Sequence, residues 1–247
     1  SKLQKKWGID VLESLSLKGD ENILDLGCGD GVLTAKLAAL APKGKTIGLD
    51  ASRGMIETAK RQHAPSNLIF IHSDINNLGF SDEFDLIYSN AALHWILDHD
   101  RLLKNCYKAL KHGGKIRWSF GGEGNCKNFI AAAYQTIALP RYKNIFEGFQ
   151  HPWRMPSADE YIAALKKTGY SDINVYVENA DRVFDDESEM IAWIDQPTIV
   201  PFLDYINDEK TKIRFRNDAI DAIKTFAKNE SGAYMEIFRR INISAAK

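Results

Sequence analysis

Residues 22–31 read Asn-Ile-Leu-Asp-Leu-Gly-Cys-Gly-Asp-Gly, and this stretch decides the fold. The apolar run Ile23–Leu26, interrupted only by Asp25, predicts a short buried strand. Three glycines follow at alternate positions, and the apolar residues from Val32 to Leu40 then recur at helical spacing. A strand, a glycine-rich turn and a helix together bring bare backbone N–H groups and the positive end of a helix to one point. The pattern predicts a small-molecule site at the carboxyl end of the strand.

Two features of the turn disfavour a dinucleotide as its ligand. The dinucleotide fingerprint G-x-G-x-x-G needs its third glycine at position 32, where this chain has Val32. Asp25 also places a carboxylate just before the turn, and a carboxylate repels a pyrophosphate but attracts a cation. A glycine turn that binds no ligand is the other interpretation of this motif taken alone.

The acidic residue and the alternating glycines resemble the first motif of the class I S-adenosylmethionine-dependent methyltransferases. Asp25, Gly27, Gly29 and Gly31 match that motif position by position. The resemblance implies S-adenosyl-L-methionine as the cofactor. It also implies a Rossmann-like α/β fold, with a mostly parallel seven-stranded sheet, an antiparallel last strand and a helical cap.

Acidic residues also follow the next two predicted strands. The strand Thr46–Leu49 ends in Asp50, whose carboxylate can accept two hydrogen bonds from ribose hydroxyls or can cap the next helix. The strand Leu68–Ile71 leads to Asp74, which the resemblance pairs with the adenine amino group and which can otherwise form an Asx turn. Met55 lies near the adenine in the family pattern, or else packs in the core. The resemblance assigns to the cofactor Asp25, Gly27, Cys28, Gly29, Asp30, Gly31, Asp50, Ala51, Met55, Asp74, Ile75 and Asn90.

Strands and helices alternate regularly through the first half of the chain, which predicts parallel βαβ units and a doubly wound sheet. The remaining strands are predicted at Phe84–Tyr88, Lys115–Phe120, Ile173–Val177 and Met235–Ser244. An amphipathic helix is predicted over residues 2–16, and residues 187–229 are predicted to be largely helical, with interruptions at Pro197 and Pro201.

These elements predict a single domain with two insertions. Residues 1–120 form the cofactor-binding core, and residues 157–178 and 231–247 complete its sheet. Residues 121–156 and 179–230 are insertions long enough to form the helical cap.

The composition of the chain disfavours several classes of binding partner. The chain has 247 residues, a net charge of −1 and no long basic run, which disfavours nucleic acid. No apolar stretch is long enough to span a bilayer. Its three cysteines form no C-x-x-C pair, so neither a disulfide framework nor a zinc site is indicated, and no metal is expected. The sequence predicts a cytoplasmic protein, monomeric or homodimeric, that acts on a small-molecule methyl acceptor.

The segment Asn90–Trp95 follows the fourth strand and opens toward the reactive methyl group in the family pattern. Its sequence Asn-Ala-Ala-Leu-His-Trp resembles that of the trans-aconitate methyltransferase-like enzymes, which usually have Gln where this chain has His94. The resemblance to this group extends to Ile191–Trp193, Pro201–Leu203 and the closing Phe238–Ile243.

A carboxylate acceptor is already deprotonated at pH 7, so it needs donors to hold it and no general base. His94 and Trp95 can donate from ring N–H groups, and Arg154 can bind an acid through two parallel hydrogen bonds. The first hypothesis is therefore O-methylation of a small carboxylic acid, with these three as catalytic residues. The second is methylation of nitrogen, carbon or a hydroxyl group, with His94 as general base.

Other interpretations stay open at the level of sequence. His94 and Trp95 can simply pack in the core, and Arg154 can form a surface ion pair. A nicotinamide oxidoreductase and a non-catalytic cofactor-binding regulator are the alternatives from other functional classes.

Overall fold

The computed structural model describes residues 8–9, 11–12, 15–196 and 198–247. The strands are β1 (Ile23–Leu26), β2 (Thr46–Asp50), β3 (Leu68–His72), β4 (Phe84–Asn90), β5 (Leu110–Gly121), β6 (Ser171–Asn179), β7 (Arg182–Val183), β8 (Met235–Glu236) and β9 (Arg239–Ala246). The helices are α1 (Val32–Leu40), α2 (Arg53–Gln62), α3 (His99–Ala109), α4 (Lys127–Ile137), α5 (Pro140–Lys143), α6 (Ala158–Thr168), α7 (Glu187–Ile194), α8 (Val200–Asp204) and α9 (Glu209–Ala227). Two 3-10 helices, Ile75–Asn77 and Leu93–Trp95, follow β3 and β4.

Within the described residues, seven strands form one sheet in the order β3-β2-β1-β4-β5-β9-β6. The pairs from β3 to β5 are parallel, and β9 runs antiparallel to β5. The predicted mostly parallel seven-stranded sheet with an antiparallel last strand is therefore confirmed. Because β1, β2 and β4 are parallel, their carboxyl ends share one edge of the sheet. The antiparallel β9 begins at that same edge, since Arg240 pairs with Gly121.

Alternating side chains bury both faces of the sheet, as the two-residue period of a strand requires. Leu24, Ile87 and Trp118 belong to a large apolar core on one face, and all three are completely buried. On the other face, Ile23 and Tyr88 belong to a second apolar core with α1. Burial on both faces is typical of a parallel sheet with helices on both sides.

The chain divides into two compact units. The first holds the described residues of Ser1–Glu123 together with Trp153–Glu178 and Arg240–Lys247, and the second holds Gly124–Pro152 and Asn179–Arg239. Among the helices of the described ranges, none is long and apolar enough to cross a membrane.

A buried carboxylate in the second unit caps the helix α4. Glu236 on β8 is completely buried, and it accepts backbone N–H groups of Asn128, Phe129 and Ile237 at 3.0, 2.9 and 2.8 Å. Two of these N–H groups belong to the first turn of α4, where no intrahelical partner exists for them. Glu236 therefore caps α4 from another segment of the chain.

Several predicted boundaries differ from the structure. The fifth strand begins at Leu110 rather than Lys115, because the strand continues through Gly113, whose φ of +77° is one that glycine adopts readily. The predicted strand 235–244 is two elements, β8 paired with β7 and β9 paired with β5. Pro201 lies in the first turn of α8, where its missing N–H costs nothing, so it does not interrupt that helix.

Two predictions fall partly outside the described residues. Of the helix predicted over 2–16, residues 8, 9, 11 and 12 are helical, residues 15 and 16 are not, and the others lie outside the described part. The predicted interruption at Pro197 also lies outside it.

Candidate cofactor and acceptor site

The glycine turn after β1 uses backbone that glycine adopts most readily. Gly27, Gly29 and Gly31 have φ values of +76°, +54° and +80°. A Cβ atom on Gly27 would lie 2.2 Å from Cβ of Ala92, and one on Gly31 would lie 2.6 Å from the ring of Phe70. A Cβ on Gly29 would meet nothing within 4 Å. The outer two glycines therefore permit close packing within the protein, whereas the middle one faces open space.

Asp50 at the end of β2 is tied to this turn. Its Oδ2 accepts the Gly29 N–H at 2.9 Å, and its Oδ1 accepts the Ser52 N–H at 2.8 Å. The residue that caps α2 is Ser52, whose hydroxyl accepts the Met55 N–H, so Asp50 does not have the alternative role of helix cap. The carboxylate lies next to the open space at Gly29.

Asp25 lies beneath the turn, with only 2% of its surface exposed. Its Oδ2 accepts the hydroxyl of Thr34 on α1 at 2.7 Å. Burial raises the pKa of Asp25 to about 7; the Thr34 hydrogen bond opposes this shift and the charge of Asp50 adds to it. A nearby cation would favour the ionised form of Asp25.

The other predicted cofactor residues surround the same edge of the sheet. Asp74 forms the Asx turn that was its alternative role, accepting the Asn76 N–H at 2.9 Å. Ile75 is buried beside it, whereas Met55 is 47% exposed and does not pack in the core. Burial raises the pKa of the Cys28 thiol, which keeps it protonated and unreactive. Asp30, Ala51 and Asn90 lie at the ends of the turn and strands where the sequence places them.

These features fit S-adenosyl-L-methionine. The open position at Gly29 is a cradle that any side chain would fill. Asp50 offers paired carboxylate oxygens at the strand end, and the two aspartates, Asp25 and Asp50, favour a cationic ligand over a pyrophosphate.

The segment after β4 is the one that the sequence predicts to form the acceptor side of the site. Ala91 has φ +56° and donates its N–H to the carbonyl of Ser119 on β5 at 2.7 Å, which fixes the start of the following 3-10 helix. His94 lies in that helix, and burial, with a contribution from His99, lowers the pKa of His94 to about 4. Among the described residues, Nδ1 of His94 has no hydrogen-bond partner. His94 is therefore neutral at pH 7 and keeps hydrogen-bonding capacity.

Trp95 is 40% exposed, and its ring meets that of Trp153 edge to face at a centroid distance of 5.7 Å. Trp153 is buried, so only the ring of Trp95 is exposed where it could hold an apolar part of an acceptor. Within the described ranges, no group of three His, Cys, Asp or Glu side chains is arranged to hold a metal ion.

Arg154 differs from the expectation in two respects. The sequence placed it in the insertion 121–156, but it belongs to the first unit, where its backbone N–H donates to the carbonyl of His94 at 2.8 Å. Its guanidinium forms an ion pair with Glu160, and its side chain is 41% exposed. This is the surface ion pair that was its alternative role, and the acid-binding role remains a prediction.

Sequence reasoning missed three buried polar residues, which are Thr34 on α1, Ser119 on β5 and Arg240 on β9. Thr34 hydrogen-bonds Asp25, and Nη2 of Arg240 donates to Oγ of Ser119 at 2.5 Å. Ile241 and Ile243 alternate with polar residues in β9, and that alternation is the signal for an inward-facing arginine.

Comparisons with known proteins identify the family. A family model described as a methyltransferase domain matches residues 23–114. The trans-aconitate 2-methyltransferase of Deinococcus radiodurans is 48% identical over 191 residues, which cover 73% of this chain and 70% of that protein. The malonyl-[acyl-carrier protein] O-methyltransferase of Priestia megaterium is 38% identical over 207 residues, which cover 70% of this chain and 76% of that protein.

A solved structure shows the same fold. The YcgJ protein of Bacillus subtilis matches with a TM-score of 0.67 and 18% sequence identity over 98% of each chain. The enzyme is an S-adenosylmethionine-dependent methyltransferase, and S-adenosyl-L-methionine is its cofactor. This chain belongs to the class I S-adenosylmethionine-dependent methyltransferases, in the trans-aconitate methyltransferase-like group.

Proposed function

We propose that this enzyme transfers a methyl group to a carboxylate oxygen of a small organic acid. The observation that carries the proposal is the state of His94, the one titratable residue of the predicted acceptor segment Asn90–Trp95. With a pKa of about 4, its imidazole is neutral at physiological pH and is a weak base.

A general base works best when its pKa lies near the operating pH. Amine and hydroxyl acceptors must lose a proton during transfer, and His94 is poorly suited to remove it. A carboxylate acceptor carries no proton at pH 7. The low basicity of His94 therefore supports the acid acceptor over the base-dependent alternative.

The relatives support the same class of acceptor. The Deinococcus radiodurans protein is named for trans-aconitate, and the Priestia megaterium protein is named for O-methylation of malonyl-[acyl-carrier protein]. One name specifies an organic acid and the other an acyl group bound to a carrier protein. The small molecule is favoured here because the former relative is the more similar, at 48% against 38% identity.

Each part of the site has a role in this reaction. Gly29 and Asp50 would hold the cofactor, with Asp25 adding negative charge beneath the turn. When bound, the cofactor supplies an activated methyl group on a sulfonium. The residues after β4 bind and orient the acceptor, since an in-line displacement depends mainly on proximity and alignment.

Uncharged hydrogen-bond donors are also better suited than a cation to bind the attacking carboxylate, because this carboxylate loses its charge in the reaction. A carboxylate and a sulfonium lose their opposite charges as the ester forms, so the transition state is less charged than the reactants. A cation on the attacking oxygens would stabilise the reactants more than the transition state. The neutral His94 and the indole of Trp95 can orient that oxygen without this penalty.

The test is methyl transfer from S-adenosyl-L-methionine labelled in the methyl group to matched panels of acids, amines and alcohols. We expect label in a product that mild alkali hydrolyses, as an ester requires, and only with the acids. Asp50→Ala is the control for cofactor-dependent transfer. Alkali-stable methylation of amines or alcohols, with no ester from any acid, would overturn the proposal.

A further inference from the structure

Of the lysines and arginines that the structure describes, Arg240 alone is buried, with 7% of its surface exposed. A buried charge is costly unless the site uses it, because desolvation must be offset by specific contacts. Arg240 lies near the carboxylate of Glu178, whereas Arg239 and Arg154, both less buried, form ion pairs with Asp181 and Glu160.

The strand registers place Arg240 at the functional edge. Asp25 pairs with Tyr88 on β4, and Asn90 pairs with Ser119 on β5. Residues paired in register, and residues two apart on one strand, share a face of the sheet. Arg240 pairs with Gly121, two residues beyond Ser119, so it shares a face and an edge with Asp25 and Asn90. Gly121 has no side chain to occupy the space opposite the guanidinium.

Arg240 makes polar contacts with Ser119 and Glu178. Its Nη2 donates to Oγ of Ser119 at 2.5 Å, and its Nη1 lies 3.7 Å from Oε2 of Glu178. The side chain of Glu178 is 46% exposed, and it also accepts the amide of Asn242 at 3.2 Å. Burial lowers the pKa of Arg240, which Glu178 partly opposes, and an anion beside the guanidinium would favour its charged form further.

The reaction decides which part of an acid acceptor suits this arginine. In the transfer the carbon–sulfur bond breaks, the sulfur keeps its electron pair, and the attacking carboxylate becomes a neutral ester. An arginine on that carboxylate would lose its partner as the bond forms, which raises the barrier. An arginine on a different carboxylate of the same molecule keeps its partner throughout and contributes binding and orientation.

We propose that Arg240, oriented by Ser119, is a specificity-determining residue that binds a carboxylate of the acceptor other than the one methylated. This inference rests on the proposed function. It predicts that the preferred acceptor has at least two carboxylates, one held at β9 and one presented to the residues after β4.

The experiment compares a tricarboxylic acid, the corresponding dicarboxylic acid and a monocarboxylic acid of the same length as acceptors. For the wild-type enzyme we expect kcat/KM to fall with each lost carboxylate. In Arg240→Gln, KM for the tricarboxylate should rise about 10- to 100-fold, the range of one lost charge-assisted hydrogen-bonding pair, while KM for the monocarboxylate should change little. Arg240→Lys keeps the charge but loses the planar fork, so an intermediate KM is expected.

Two further measurements keep the outcomes distinct. Calorimetric binding of the tricarboxylate to the enzyme saturated with S-adenosylhomocysteine should weaken by the same factor of about 10 to 100 in Arg240→Gln, whether or not methyl transfer occurs. S-adenosylhomocysteine binding itself should be unchanged, which shows that the variant is folded. Arg239→Gln, which alters the adjacent, partly buried arginine, is the matched control and should behave as wild type.

Equal loss of activity on all three acids in Arg240→Gln, with intact cofactor binding, would overturn the inference and leave acid methylation standing. Arg240-dependent binding of the tricarboxylate without any ester product would overturn the proposed function and keep Arg240 as an acid-binding residue. If the tricarboxylate binds the wild type and Arg240→Gln equally well, the assignment of Arg240 is wrong.

Discussion

The backbone N–H of Gly29 donates to Oδ2 of Asp50 at 2.9 Å, and this bond joins the glycine turn after β1 to the carboxyl end of β2. The same carboxylate accepts the Ser52 N–H through its other oxygen. One side chain thus fixes the shape of the turn and presents polar atoms beside the open space at Gly29.

Asp50→Ala should therefore weaken cofactor binding by about 10- to 100-fold, because it removes a charged hydrogen-bond acceptor and loosens the turn. Calorimetric titration with S-adenosylmethionine and S-adenosylhomocysteine measures the effect. Glu57→Ala, which removes an exposed carboxylate on α2, is the matched control. Unchanged affinity in a folded Asp50→Ala protein would contradict the role given to Asp50.

Asp25 should make stability depend on pH. In the folded protein the pKa of Asp25 is about 7, higher than the ordinary value of about 3.9. Between about pH 4 and pH 7 the Asp25 carboxyl therefore holds a proton in the folded state that it has lost in the unfolded state. This contribution to stability is complete below pH 4 and is lost as the pH rises through 7. Glu236, whose pKa burial also raises to about 7, adds a slope of the same sign.

Asp25→Asn should reduce the pH dependence of the free energy of unfolding by the contribution of one titrating group, which is about 1.4 kcal/mol per pH unit at most. The ligand-free variant should therefore be more stable than wild type at pH 8 and about equally stable at pH 4. Denaturant unfolding at intervals from pH 4 to 8 gives the comparison. If the free energy of unfolding depends on pH in the same way in both proteins, the pKa of Asp25 is not raised in the folded state.

His94→Gln should largely preserve ester formation. Because the pKa of His94 is about 4, its charge does not change between pH 6 and 9, and kcat/KM should fall by less than about 5-fold, against the 100-fold or more expected for loss of a general base. The pH profile of kcat/KM in this range should be the same for both proteins. A large loss, together with a titration limb near neutral pH that the variant lacks, would support the base-dependent mechanism instead.

Arg154→Gln distinguishes the two roles considered for that residue. An exposed ion pair with Glu160 contributes about 1 kcal/mol or less, so a surface role predicts nearly unchanged thermal stability and KM. Glu160→Gln breaks the same pair and serves as the matched control. A KM for the acid that rises at least 10-fold only in the arginine variant would restore Arg154 as the acid-binding residue.

The first half of the fold could be predicted because each element has a local cause. Ile23–Leu26 is apolar enough to be buried on both faces, and glycine is required wherever the following turn adopts positive φ. The same argument failed at Gly113, where a glycine with positive φ lies inside a strand. The sequence predicts this strand only from Lys115, because composition alone does not distinguish a glycine that precedes a strand from one that lies within it.

The site was less predictable where distant segments meet. Arg154 was assigned to the cap because prolines and aromatics surround it, but hydrogen bonds from Arg154 to His94 and from Glu123 to Pro156 join this segment to the first unit. In the sequence, Arg240 is noticeable only as part of Phe238–Ile243, the closing segment that resembles the trans-aconitate methyltransferase-like group. Its burial depends on pairing with a strand more than a hundred residues earlier, which no local pattern reveals.

The contact between Gly27 and Ala92 has a consequence for how this enzyme can diversify. Any side chain at position 27 would collide with Ala92, and by the same contact a larger residue at 92 would push against the turn at Gly27. The loop predicted to contact the cofactor and the loop predicted to contact the acceptor therefore constrain each other's side chains at this point. Few substitutions at position 92 are therefore compatible with the glycine turn. Among related enzymes with other acceptors, we expect sequence differences to concentrate at residues that contact the acceptor but not the turn.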